Sequence, residues 1–273
     1  MRLPVIFLLL ALGVARAADN HFVIGKVKDT TPWRWTFGEK LAKTLMDSTK
    51  GYYALENTSP GANWYDYSAN TNGLTCNTCP LFGLSAGLGR WDFVLGSNHT
   101  FFGSNLSASV AAATNFTLMI WVNAESIPPG SGIENFPCIL AISDASATTA
   151  IEIRHKPANQ LSVQCHSGGT VQFRRTPRPI LSNTWMHVAV VQDGVGVNTY
   201  VDGTDVDEVN HGGADAGASF SDLSGLDTFT IGSISTNSKG FANFWDGQLD
   251  EPIILDRALG ATEISDYFAR GRQ

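Results

Sequence analysis

The sequence predicts an all-β fold: a two-sheet antiparallel sandwich with a short N-terminal helical extension and a C-terminal helix. Three observations point there. From Tyr52 onward apolar residues recur mostly with period two. AIEIRHK sets Ile151 and Ile153 on one face and Glu152 and Arg154 on the other, and LSVQCHS, VQFRR and TFTIG repeat that alternation. FTLMIWV and WMHVAVV are apolar on both faces, as central strands of a two-layer packing must be. Asp193-Gly194 and Asp202-Gly203 bracket GVNTYV and mark two hairpin turns. Composition agrees, since 273 residues at 43% hydrophobic content allow a sizeable core and exclude a disordered chain.

The elements follow in order. Arg2 precedes an apolar run from Leu3 to Ala15, and Ala15-Arg16-Ala17 has the small-x-small form of a cleavage site. The run is too short for a membrane helix, which needs about 20 residues. Residues 1–17 therefore read as a signal peptide that sends the chain out of the cell, with no membrane span and no anchor signal in the closing ARGRQ. Residues 18–51 read as an extension in which Phe37, Leu41 and Leu45 share a helix face. Residues 52–270 form the β domain. It ends in a helix over TEISDYFARG, where Ile264, Tyr267 and Phe268 share a face and Gly271 can close the turn.

Charge and cysteines narrow the chemistry. The net charge of −7 argues against a nucleic-acid partner. Cys76, Cys79, Cys138 and Cys165 are an even set bound for an oxidising compartment, so disulfides are expected among all four, in any of three pairings. Sequons at Asn57, Asn98, Asn105 and Asn115 would carry glycans in a eukaryotic secretory route.

Six segments in order carry a family resemblance: DYSANTNG, GRWDFVLGSNHTFF, NFTLMIWVNA, SNTWMHVAVVQDGVGVNTYVDG, TFTIGS and FWDGQLDEPIILDRALGATEI. Together they resemble the laminin-G-like, concanavalin A-like lectin/glucanase jelly roll, over roughly Tyr52 to Arg270. That resemblance implies a jelly-roll sandwich and an extracellular role. It also implies one structural Ca2+ held by Asp250 with backbone carbonyls of the domain's start. Pro252 departs from the family pattern and predicts an edge or a bulge in the closing strand.

Catalytic residues are not found. Glycosidases need two carboxyl groups flanking the scissile bond. The strand acid Glu152 has Arg154 as its same-face neighbour, and Asp205 and Asp207 sit just past a turn. Gly83-Leu84-Ser85-Ala86-Gly87 matches a nucleophile elbow in letters but lacks the helix behind it. His187 falls on a core strand, whereas the polarity of His155 and His166 places them outward. Ligand-binding candidates are Trp64 and Trp91 for stacking, and the basic cluster Arg174, Arg175 and Arg178 for acidic glycans. Trp245, near a loop end, is a further stacking candidate. The expected function is a secreted, non-enzymatic module recognising carbohydrate or a glycoprotein surface. The alternatives are a glycoside hydrolase with a non-standard acid pair and a structural module of a matrix.

Overall fold

The computed structural model describes residues 48–53, 63–64, 66, 68, 70, 72–76, 78–85, 88–126, 136–144, 149–167, 170–194, 196–206, 209–210, 223, 225–236 and 240–271. The expected signal peptide, the helix over Phe37–Leu45, Asn57 and Asp207 lie outside them, as do the side chains of Trp64, Asn105, Arg174, Arg175 and Arg178.

The first strands are β1 (Thr49–Tyr52), β2 (Asn63–Trp64), β3 (Leu74–Cys76), β4 (Leu81–Ser85), β5 (Leu88–Phe93) and β6 (Phe101–Gly103). Helix α1 (Asn105–Val110) was not signalled by any long periodic run; Leu106 and Val110, one turn apart, are its buried face. Then come β7 (Phe116–Ala124), β8 (Cys138–Ser143), β9 (Ala150–Lys156), β10 (Gln160–Ser167), β11 (Thr170–Pro179), β12 (Met186–Gln192) and β13 (Val197–Val201). The chain closes with β14 (Thr204–Asp205), β15 (Val209–Asn210), β16 (Thr228–Ile231), β17 (Ile234–Thr236), β18 (Gly240–Ala242), β19 (Gly247–Leu255) and α2 (Ala261–Gly271).

Every pairing among these strands is antiparallel, and they form two large sheets and a two-stranded one, β17-β18. One has eight strands in the order β14-β13-β12-β7-β19-β5-β4, with β1 also on β19. The other has nine, in the order β15-β11-β10-β9-β8-β16-β6-β3-β2. Period two decides what lies between them. Leu118, Ile120 and Val122 of β7, Val188 and Val190 of β12, and Leu249 of β19 pack with Ile142, Ile151, Ile153, Val163 and Phe229 of the nine-stranded sheet. Burying each such side chain stabilises by about 1.5–3 kcal/mol. The opposite face of β7 and β12 is apolar as well because α2 covers it. Met119, Ala189, Val191 and Ile253 meet Leu259, Ile264 and Tyr267 there. The two strands read from sequence as central are indeed central.

The turns behave as read. Asp202 and Gly203 both take positive φ, 49° and 73°, the pairing a two-residue hairpin with right-handed twist requires. Asp202 Oδ1 accepts from the His187 N–H at 2.8 Å, tying that turn back to β12. Pro252 sits at a bulge and not at an edge: β19 has β7 on one side and β5 and β1 on the other, and its register shifts between Asp250 and Ile253. The segment DYSANTNG fastens the domain's start. Asp66 accepts from the backbone N–H of Tyr52, Ser68 and Asn72 and from the Ser68 hydroxyl.

Two expectations are corrected. Only Cys76 and Cys79 form a disulfide; Cys138 and Cys165 are buried thiols. They lie on β8 and β10 with β9 between, so about 10 Å of sheet separates them, beyond disulfide reach. They also face opposite ways, Cys165 into the core and Cys138 against Ala141 and Ile234. Burial, with Glu152 nearby, holds the Cys138 thiol well above its ordinary range, so it stays protonated. His155 is likewise not outward but 1% exposed, its ring 5.7 Å from Trp245. It follows Ile151 and Ile153 on the same parity, and parity outweighs its polarity.

Alkylation of the denatured, unreduced protein should label two of the four cysteines, Cys138 and Cys165; labelling of none or of all four would contradict the pairing. Replacing Cys76 and Cys79 by serine should cost about 2 kcal/mol, because the bridge closes only a short loop. His155 predicts a specific acid response. Burial lowers its pKa from 6.5 to about 4. Because the folded form then binds the proton less tightly than the unfolded form, the stabilisation is complete above pH 6.5. It is lost as pH falls toward 4, by about 3 kcal/mol. Urea melts at pH 7 and pH 4 should show a smaller loss in His155→Phe than in the parent; equal losses would contradict it.

Candidate functional site

Three neighbouring strands build a polar surface on the outer face of the eight-stranded sheet. β5 turns Trp91 and Phe93 into the core, so Arg90 and Asp92 alternate outward. β7 turns Val122 and Ala124 inward, which sends Asn123 out, with Glu125 two residues on. β19 buries Leu249, and Gln248 lies on the other face, two residues after Asp246. Register then aligns them: Asn123 pairs with Gln248, Gln248 with Asp92, and Asp92 with Leu81 of the edge strand β4. Neighbouring strands lie about 4.8 Å apart, so Asn123 and Asp92, with Gln248 between them, stand about 10 Å apart.

Hydrogen bonds knit part of this surface. Asn123 Nδ2 donates to Gln248 Oε1 at 3.3 Å, and Gln248 Nε2 donates to Glu125 Oε1 at 3.0 Å. Asp246 Oδ1 accepts from the Leu95 N–H at 2.9 Å. On this surface three buried side-chain atoms, Arg90 Nε, Asp92 Oδ1 and Asn123 Oδ1, have no hydrogen-bond partner among the described residues. Asn123 is only 9% exposed. A buried polar atom without a partner costs about 1–3 kcal/mol, so three on one face want a ligand or water to complete them. Glu125 reports the same crowding: burial first, then Asp92 and Asp246, raise its carboxyl above the ordinary range.

The rim is apolar. Leu81 is 59% exposed and Leu95 64%, with Val94 beside it. His99 shapes this rim, since its Nδ1 accepts the Val94 N–H at 3.1 Å. Burial lowers the His99 pKa, which keeps that nitrogen available as an acceptor. The disulfide Cys76–Cys79 lies just before β4, and Thr78 O accepts from the Thr100 N–H at 3.2 Å, so the approach to Leu81 is fastened as well. Gly247, between Asp246 and Gln248, takes φ 133°, and a Cβ there would stand 2.2 Å from Asn123 O. Only glycine lets β19 come this close.

The residues singled out from sequence fall in different places. Trp91 is not a stacking platform: it is 3% exposed, edge-on to Phe82 at 5.5 Å and Phe101 at 4.9 Å in the core. Trp245 is equally buried. Trp64 stands on β2 opposite Leu74, at the far end of the nine-stranded sheet. Arg174 and Arg175 pair with Val163 and Ser162, and Arg178 lies further along the same strand, so this basic cluster is on the other sheet. Glu152 and Arg154 also belong to that sheet, joined in a buried ion pair. Ser85 pairs with Leu88 inside a β-hairpin, which is not the strand-to-helix turn of a nucleophile elbow.

Asp250 borders the polar surface. It lies opposite Trp121, under α2, and is 5% exposed. Tyr267 is close: burial first, then Glu251, with Asp250 contributing, raises its hydroxyl pKa. Among the described residues no three acidic, histidine or cysteine side chains converge to hold a metal ion. Side chains in view thus supply Ca2+ with fewer than three such ligands, and backbone carbonyls would have to complete its roughly 6–8 oxygens. Of the sequons, Asn98 is exposed at a turn and Asn115 half-buried.

Sequence reasoning passed over Arg90, Asp92, Asn123, Glu125, Asp246 and Gln248. The signal was present as polar pairs two residues apart in G-R-W-D-F, W-V-N-A-E and W-D-G-Q-L. Only the register shows that the three pairs are neighbours.

Known proteins share this architecture. Domain 4 of an extracellular GH43 arabinanase from Geobacillus stearothermophilus, solved in complex with arabinotriose, superposes with a TM-score of 0.57 at 13% identity. That likeness covers 81% of this chain and 98% of that one. A botulinum neurotoxin type C structure, described as entering cells through two ganglioside molecules, gives 0.62 at 12% identity over 83% of this chain, which spans about half of it, 52%. The CBM40 of a Ruminococcus gnavus sialidase, bound to α2,3-sialyllactose, gives 0.50 at 14% identity over 64% of this chain and 91% of that one. No curated protein sequence matches this one. A family model described as the concanavalin A-like lectin/glucanases superfamily matches residues 95–265. That span is more than half of the chain and includes β7, β12 and all of β19, so the protein belongs to the concanavalin A-like lectin/glucanases superfamily.

Proposed function

We propose that this protein is a secreted, non-enzymatic carbohydrate-binding module whose ligand lies on the outer face of the eight-stranded sheet. The observation that carries the proposal is the presence on one sheet face of Arg90 Nε, Asp92 Oδ1 and Asn123 Oδ1, buried and unsatisfied, beside an exposed apolar rim. A sugar is amphipathic in the same way. Its hydroxyls can complete those polar atoms while its C–H faces rest on Leu81, Val94 and Leu95. Structural neighbours solved with arabinotriose and sialyllactose support a carbohydrate ligand. The apolar N-terminal run and the disulfide support secretion.

One observation favours a second reading, glycoside hydrolysis by an acid pair drawn from different strands. Glu125 has a raised pKa with Asp92 and Asp246 near it, the condition of a general acid. Reducing ends released from a bound saccharide, and lost in Glu125→Gln, would move the protein to that class.

The structural Ca2+ implied at Asp250 is a separate proposal. Millimolar Ca2+ should raise the melting temperature and Asp250→Asn should abolish the rise; a melting temperature that ignores Ca2+ and EDTA removes the metal.

The principal test is a glycan array on the mature protein, followed by calorimetry on the best ligand. Asp92→Ala and Asn123→Ala should each weaken binding about tenfold or more while leaving the melting temperature within a few degrees, because Asp92 Oδ1 and Asn123 Oδ1 have no partner in the unliganded protein and Asn123 Nδ2 gives up only one 3.3 Å hydrogen bond to Gln248. Arg174→Ala, on the other sheet, should leave affinity unchanged. Loss of binding in Arg174→Ala with full retention in Asp92→Ala would contradict the site.

A further inference from the structure

The polar surface also has a sign. Asp92, Glu125 and Asp246 bring three carboxylates to it and Arg90 one cation, in a chain whose net charge is −7. The unsatisfied atoms have a polarity of their own. Asp92 Oδ1 and Asn123 Oδ1 only accept, and Arg90 Nε only donates. The surface therefore asks for two donated hydrogen bonds and offers one.

Separate hydroxyls of a neutral saccharide meet that request. Each hydroxyl donates one bond and accepts others. One can donate to Asp92 Oδ1 and another, about two strand spacings or roughly 10 Å away across β19, to Asn123 Oδ1, while a third oxygen accepts from Arg90 Nε. A sugar carboxylate or sulfate offers acceptors alone at neutral pH. Placed here it would leave both acceptors unanswered and would face the net negative charge. The basic cluster that suits such groups, Arg174, Arg175 and Arg178, belongs to a strand of the other sheet.

We infer that the surface formed by Arg90, Asp92, Asn123, Glu125, Asp246 and Gln248 binds neutral saccharides through hydroxyls that reach both sides of β19 and rejects sialylated and sulfated ones. This rests on the carbohydrate-binding reading above and names its ligand class. It separates this protein from the sialyllactose-bound neighbour that shares its fold.

The test is calorimetry with matched pairs: arabinotriose, lactose and cellotriose as neutral probes, with α2,3-sialyllactose and 3′-sulfolactose as the acidic partners of lactose. Lactose or another neutral probe should bind, and each acidic partner of lactose should bind no better than about one tenth as tightly as lactose at low salt. The gap should narrow in 0.5 M NaCl, because screening shortens the reach of the carboxylates. Glu125→Gln combined with Asp246→Asn removes two charges while keeping oxygen acceptors, and should narrow the gap without abolishing neutral binding. Circular dichroism and the melting temperature confirm that the double variant is folded. If it does not fold, the single Asp246→Asn variant and the salt series carry the same comparison. Sialyllactose binding as tightly as lactose, or more tightly, overturns the inference and leaves carbohydrate binding standing. Absence of binding by every probe, neutral and acidic, overturns both.

Discussion

The alternation of β5, β7 and β19 is the constraint on which the rest depends. Each strand commits one face to the space between the sheets, where Trp91, Phe93, Val122, Ala124 and Leu249 are buried. A shift of one residue in any of them would bring Asp92, Asn123 or Gln248 into that space. Burying an unpaired polar or charged group there costs several kcal/mol. The register that builds the core is thus the same register that lines up the polar row outside. Core and site cannot be specified separately.

The same logic explains how one sheet face carries two different surfaces. Under α2, β7 and β12 present Met119, Ala189 and Val191, and the helix covers them with Ile264 and Tyr267. Further along β7 the outward residues become Trp121 and then Asn123, and the covering ends. Gly271, at the end of α2, marks the boundary, since a Cβ there would press on the Trp121 ring. Beyond it the rim is held by His99, Asp246 and the disulfide. Helix and polar surface divide the face between apolar packing and hydrogen bonding.

The sandwich was legible in the sequence because period two and the Asp-Gly turns are local signals. The central strands, both hairpins, the bulge at Pro252 and the C-terminal helix all follow from residues near one another in the chain. What was not legible is non-local. Cys138 and Cys165 look like partners until β9 is seen between them. His155 looks outward by type, and only its place after Ile153 says otherwise. Arg174, Arg175 and Arg178 stand out as a cluster in sequence. The polar surface does not, because its six residues come from segments that begin at Arg90 and end at Gln248. Tryptophan count misled for a related reason: Trp91 and Trp245 are large enough to anchor the core and are used there.

The most direct measurement is a crystal structure of the mature protein with a bound neutral oligosaccharide such as arabinotriose. The account predicts saccharide hydroxyls within about 3 Å of Asp92 Oδ1 and of Asn123 Oδ1, with a ring face on Leu81 or Leu95. A saccharide bound on the nine-stranded sheet, beside the arginines of β11, would contradict it.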